Sequence, residues 1–201
     1  MDVPIKKTGN WVFDTFDKFY EISENLFDLK TLYEESNCPT LQTKNLSQEI
    51  KWIKQVVLEC DSPINFTHVD FRGSNIMVTE TNGIVLCDLE YSCYGFRGVD
   101  FGSIFVEWGH NIEDFIKPLN FVDDKKFLPF IESYIEESVK LRGNEFIEDK
   151  RNSIEHILKE GKVFSLVSLM FFVLISLKSN ESIIADIPFD KKKSMVYHFK
   201  C

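Results

Sequence analysis

Phe66-Thr67-His68-Val69-Asp70-Phe71-Arg72-Gly73-Ser74-Asn75 opens the stretch that decides the fold. Its polar skeleton is H-x-D-x-x-x-x-N, and it runs directly into a β-rich segment, residues 75–80. Asn82-Gly83 is a turn signal, and Ile84-Val85-Leu86-Cys87-Asp88 is β-rich again. Residues 75–88 therefore predict a short hairpin with polar groups at its ends. The pattern offers one carboxylate on a loop, one amide shortly after it, and a second carboxylate across the hairpin. Phosphoryl transfer from a nucleotide uses such a set. A loop Asp accepts the proton of the attacking hydroxyl, and Asn and Asp oxygens suit Mg²⁺. In this reading Asp70 is the catalytic base, Asn75 and Asp88 are the metal ligands on the nucleotide side, and His68 braces the loop by hydrogen bonding.

Outward from the hairpin, the pattern is helical. Trp11, Phe13, Phe16, Phe19, Tyr20, Ile22 and Phe27 are spaced among acids and lysines over 10–28 as on an amphipathic helix. Residues 36–44 read as a loop. Asn45 with Gln48 resembles a helix start, and Ile50, Ile53, Val56 and Val57 give the next helix an apolar face. Further helices are expected near 100–110, 123–141, 144–160, 161–178 and 189–199. The expected fold class is mostly α (α+β), helices around one small β-hairpin.

Composition narrows the function classes. Hydrophobic residues make up 44% of the 201, with 19 Phe, enough for a true core. The formal net charge of −9 repels nucleic-acid backbones and anionic membranes, and it favours a small cationic substrate. Five cysteines at irregular spacing without a C-x-x-C pair argue against a disulfide framework or zinc site and for a reducing, cytoplasmic setting. No signal peptide is legible at the N-terminus. The apolar run Val163 to Leu177 is shorter than a bilayer needs and is interrupted by Ser165, Ser168 and Ser176, so it reads as a core helix and not a membrane span.

The continuation of the central motif carries a family resemblance. Leu86-Cys87-Asp88-Leu89-Glu90-Tyr91 is followed by Tyr94, Arg97, Asp100, Phe105, Glu107 and Trp108. The segment resembles choline/ethanolamine kinases, in which I-D-F-E-Y precedes a Tyr-rich turn, R-x-x-D, and a helix bearing H-F-x-E-W. Weaker resemblance at Val3-Pro4-Ile5-Lys6, Trp11-Val12-Phe13 and Ser165 to Leu177 extends it over nearly the whole chain. It implies that residues 1–201 form the C-terminal catalytic and substrate-binding lobe of a protein-kinase-like fold, with the N-terminal lobe, its Gly-rich loop and strand lysine absent. The implied activity is ATP-dependent phosphorylation of choline or ethanolamine, with Mg²⁺, in phosphatidylcholine or phosphatidylethanolamine synthesis, by a possible homodimer. Glu107 would meet the substrate cation, and Tyr91, Phe172 and Tyr197 would wall it by cation–π contact. Trp108 reads as packing.

The sequence departs from the family at several points. Val69 stands where Asn is usual between the loop His and Asp. Gly95 replaces an Asn, and Ser103-Ile104 replace N-H. Phe172 and Ile175 align with two tryptophans, and Ile112 with a tyrosine. Base and metal positions persist while the substrate pocket drifts, which leaves choline and ethanolamine both open. A non-catalytic binding or regulatory lobe that partners a complete kinase is the second reading. A phosphotransferase of the same fold acting on an antibiotic or another small alcohol is the third, and Glu107-Trp108 argues against it.

Overall fold

The computed structural model describes residues 10–35, 45–108 and 123–178. The chain divides into two compact units. The first comprises 1–9, 56–109 and 121–168, and the second 10–55, 110–120 and 169–201. The described residues are mostly helical, with two small antiparallel sheets.

The first unit begins within helix α3 (Leu46–Cys60) and continues into β1 (Ile64–Thr67), which pairs with β4 (Cys93–Phe96) from Ile64↔Phe96 to Thr67↔Cys93. Between them lies the expected hairpin, β2 (Ile76–Val78) against β3 (Ile84–Leu86). Asn82 sits in the left-handed region (φ 59), which Asn tolerates, and Gly83 N donates to Thr79 Oγ1 at 2.9 Å to close the turn. The β1–β4 sheet was not foreseen. It joins residues about thirty apart, a pairing that local pattern does not encode.

Helix α4 (Gly98–Glu107), helix α5 (Asp124–Arg142) and the 154–168 portion of α7 (Ile154–Lys178) enclose the core. Phe101, Ile104, Phe105, Phe127, Ile131 and Ile157 form its centre, and Phe71, Phe130 and Tyr134 pack on it. Helices α4 and α7 approach closely because their contact positions are glycines. A Cβ on Gly102 would lie 2.3 Å from the Phe164 backbone, and one on Gly161 would lie 2.1 Å from the Phe105 ring. Gly161 therefore sits inside α7 as a packing site. The helices expected at 144–160 and 161–178 are instead a short helix α6 (Glu145–Glu148), a 3₁₀ turn (Lys150–Asn152) and one long α7, with Ser153 Oγ accepting from His156 N at 3.2 Å at its start.

Beneath β4, Arg97 is buried against Glu160, which has no exposed surface. Arg97 Nε donates to Glu160 Oε2 at 3.1 Å, Nη1 to Asn152 Oδ1 at 2.5 Å, and Nη2 to the Arg151 carbonyl at 2.7 Å. Ser62 Oγ fills the other Glu160 oxygen at 2.5 Å and accepts from Gly98 N at 3.0 Å. Each charge is paired and hydrogen-bonded, the condition under which burial is tolerated. Nearby Cys60 is buried, and desolvation, then the Glu160 charge, push its thiol up to about 11.

In the second unit, α1 (Trp11–Leu26) buries Val12 and Phe16, and Phe171 meets Trp11 and Phe16 at centroid distances of 5.9 and 4.8 Å. The helix expected to reach residue 28 stops at Leu26. Asp28 then starts α2 (Leu29–Glu35), its carboxylate accepting from Lys30 N and from Thr31 Oγ1 at 3.2 and 2.8 Å. The start read at Asn45 is realised in α3, where Asn45 Oδ1 accepts from Gln48 N at 2.9 Å. The expected loop at 36–44 and helix at 189–199 lie outside the described residues. No helix among the described residues is long and apolar enough to cross a membrane.

Removing Glu160's charge isolates the Arg97 guanidinium. Glu160→Gln should destabilise the chain by about 3–5 kcal/mol, read as a lower urea midpoint. An unchanged midpoint would show that the pair is dispensable.

Candidate active site

The loop between β1 and β2 is held from below by one carboxylate. Asp100, in the first turn of α4, accepts from His68 N at Oδ2 and from Val69 N at Oδ1, both at 2.8 Å. Burial raises its pKa, and the two amide donors partly offset that rise. The bidentate grip holds Val69 at φ 77. That region is costly for a β-branched side chain and tolerable for Asn. The departure noted at Val69 therefore falls where backbone conformation matters most.

Cys87 ties the loop to the hairpin. His68 Nε2 donates to the Cys87 carbonyl at 2.9 Å, so the imidazole carries its proton on Nε2. Its Nδ1 is buried without a partner. Cys87 N donates to the Asn75 carbonyl at 3.0 Å. These bonds fix the residue immediately before Asp88 against both ends of the H-x-D-x-x-x-x-N motif.

Asn75 bridges back to Asp70. Its Nδ2 donates to the Asp70 carbonyl at 2.9 Å and to Asp70 Oδ2 at 2.8 Å. Among the described residues, Asn75 Oδ1 receives a single long contact, 3.3 Å from Ser74 Oγ. Asp88 is exposed and left-handed (φ 63, ψ 50), a conformation Asp accepts. Tyr91 follows on the 3₁₀ turn Leu89–Tyr91. Its phenol pKa is raised, first by the hydrogen bond to Glu90, then by that residue's charge, with further contributions from Asp88 and Asp70. Asp70, Asp88 and Glu90 thus share one electrostatic neighbourhood.

His68, Asp70, Asn75, Asp88 and Tyr91 are gathered in this part of the first unit. Glu107 ends α4, about 10 Å along the helix from Asp100 at the usual rise per residue. It is partly exposed, beside Trp108, which meets Phe127 and Phe130 edge-on. Phe172 belongs to the second unit, on α7, and Tyr197 lies outside the described residues. The structural parts played by Asp100, Cys87 and Ser74 were not read from sequence. The Arg-x-x-Asp spacing was the available signal for Asp100.

The donor chemistry fits magnesium. Among the described residues, no three His, Cys, Asp or Glu side chains form a ready cage. Asn75 Oδ1 and the exposed Asp88 carboxylate are hard oxygens with capacity to spare, and Mg²⁺ completes its shell with water and substrate phosphates.

The family model described as choline/ethanolamine kinase matches residues 1–200. A human choline/ethanolamine kinase is 28% identical over 88% of this chain and 46% of its own length. Choline kinase A2 of Caenorhabditis elegans is 22% identical over 79% of this chain and 46% of its own length. Ethanolamine kinase 2 of mouse is 25% identical over 84% and 43%. The solved Plasmodium vivax ethanolamine kinase shares the fold, with a TM-score of 0.65 at 21% identity over 98% of this chain and 49% of that one. The chain spans about half the length of the curated relatives it matches.

Two outcomes follow from the Asp100 grip. Val69→Asn relaxes the left-handed position and should stabilise the chain by about 1 kcal/mol, measured by urea unfolding. No gain would mean that Val69 is unstrained. Because the folded chain holds the Asp100 proton more tightly than the unfolded chain does, this group's stabilisation is full below 3.8 and is lost as pH rises through its raised folded pKa. A carboxyl ¹³C titration of Asp100 should show a midpoint above 3.8; one at or below it contradicts the assignment.

Proposed function

The chain belongs to the choline/ethanolamine kinase family, and on that premise we propose that it carries ATP-dependent phosphorylation of a small amino alcohol, choline or ethanolamine. The supporting observation is the tethering of Asp70, Asn75 and the residue beside Asp88 through Asn75 Nδ2 and Cys87. Asp70 orients the substrate hydroxyl and accepts its proton as the new O–P bond forms and the bond from the γ-phosphorus to the β,γ-bridging oxygen breaks. Asn75 Oδ1 and the Asp88 carboxylate would hold Mg²⁺, which when bound neutralises phosphate charge. His68 braces the loop and does no proton chemistry in this reading.

The substrate cation is assigned to Glu107, with Tyr91, Phe172 and Tyr197 as aromatic walls. Tyr91 stands among carboxylates, a field that attracts an ammonium group. Residues 1–201 are read as the C-terminal catalytic and substrate-binding lobe of a cytoplasmic enzyme of phospholipid synthesis, able to form a homodimer. Met77, Val78, Ile84, Val85 and Leu86 of the hairpin are all at least 44% exposed. So much apolar surface on one two-stranded ribbon supports a covering lobe, of the kind the relatives' additional length would supply. The same surface supports the second reading, a non-catalytic lobe seated on a complete kinase.

Purified chain with Mg·ATP and choline or ethanolamine should release ADP. Asp70→Ala should lower the rate by about 10²–10⁴-fold. Equal turnover in the variant removes the proposed base. Calorimetry showing choline binding without Mg·ATP binding favours the regulatory reading.

A further inference from the structure

Four side chains of the catalytic loop close a ring. Asn75 Nδ2 donates to Asp70 Oδ2 at 2.8 Å, Ser74 Oγ contacts Asn75 Oδ1 at 3.3 Å, and Arg72 Nε donates to Ser74 Oγ at 2.7 Å. Arg72 Nε then lies 4.0 Å from Asp70 Oδ1. Two members of this ring, Asp70 and Asn75, have roles in the proposed reaction. Arg72 has none so far, yet it is built in. Its backbone is extended (φ −139, ψ 162), and the preceding Phe71 packs on the α4–α5 core. Its side chain is 28% exposed, and neither Nη donates to an acceptor among the described residues.

Charge makes the position informative. From Ile64 to Phe96 the sequence carries Asp70, Glu80, Asp88 and Glu90, and Arg72 is its sole Lys or Arg. A nucleoside triphosphate entering a loop so rich in carboxylates meets repulsion that a metal ion only partly offsets. A guanidinium braced through Nε keeps its terminal N–H groups for oxygen ligands, and its planar fork matches phosphoryl oxygens.

We propose that Arg72 is a catalytic residue whose terminal N–H groups hold the phosphoryl group in transit. The inference rests on the proposed kinase reading. The phosphorus must lie beyond the hydroxyl oxygen that Asp70 orients. The guanidinium flanks that position, its Nε 4.0 Å from Asp70 Oδ1 and its Nη atoms uncommitted among the described residues. In the step, the alcohol O–P bond forms, the bond from phosphorus to the β,γ-bridging oxygen breaks, the electron pair leaves on ADP, and the hydroxyl proton goes to Asp70. Arg72 exchanges neither proton nor electrons. It stabilises charge that grows on the transferred group and the leaving oxygen.

The test uses the full chain and two probes at fixed Mg²⁺: a non-hydrolysable ATP analogue with an imido β,γ-bridge, and ADP. By calorimetry, Arg72→Gln should weaken the triphosphate analogue about tenfold and leave ADP affinity unchanged. Single-turnover transfer should fall about 10²–10³-fold. Arg72→Lys, a point charge without the fork, should restore part of both losses. Equal weakening of ADP and the analogue together with a lowered melting temperature would make Arg72 a structural brace and overturn the proposal. So would unchanged triphosphate affinity and transfer in Arg72→Gln. If the wild-type chain binds neither nucleotide, the kinase reading fails and takes this inference with it. Wild-type binding and transfer that Arg72→Gln leaves intact sink the inference alone.

Discussion

One carboxylate sets the geometry on which the rest depends. Asp100 accepts hydrogen bonds from the backbone amides of His68 and Val69, and that grip anchors the start of the loop that carries Asp70. The cost is twofold: a charge partly withdrawn from water, and a valine held at positive φ. The return is a loop whose turn is fixed before any ligand arrives, the condition for placing a base in line with a transferred group. Asp100 in turn is fixed by α4. That helix is locked to α7 through Gly102 and Gly161, and at its start by the buried Arg97–Glu160 network. Packing in the core and placement of Asp70 are therefore one continuous structure.

What the sequence disclosed and what it hid follow from contact range. The hairpin was legible because Asn82-Gly83 favours left-handed backbone between two β-branched runs. Asp70, Asn75 and Asp88 stand out as candidates in the sequence because they fall at short spacings on either side of that hairpin; their roles are proposals. The β1–β4 sheet and the Asp100 grip link residues 26 to 32 positions apart, and no local periodicity carries that information. The two helices expected over 144–160 and 161–178 meet at Gly161, which the structure places inside one continuous helix against the Phe105 ring. On the substrate side, Glu107, Phe172 and Tyr197 came from resemblance alone, and their common role remains a proposal.

The pattern of departures has a physical order. The groups assigned to proton and metal chemistry persist; hydrogen bonds join Asn75 to Asp70, and Cys87, the residue before Asp88, to Asn75. Val69 departs at a position that stores strain, and Phe172 and Ile175 depart where the family carries larger aromatics. Phosphoryl transfer tolerates little change in oxygen positions, whereas recognition of a small cation tolerates many aromatic walls. These departures therefore bear on substrate identity more than on reaction type.

The central claim is that Asn75 and Asp88 present oxygens to a metal beside Asp70. Electron paramagnetic resonance of Mn²⁺, used in place of Mg²⁺, reads this directly. The account predicts a nucleotide-dependent bound Mn²⁺ signal in the wild-type chain that is lost in Asp88→Asn and weakened in Asn75→Ala. Bound signal of equal strength in all three proteins would contradict it.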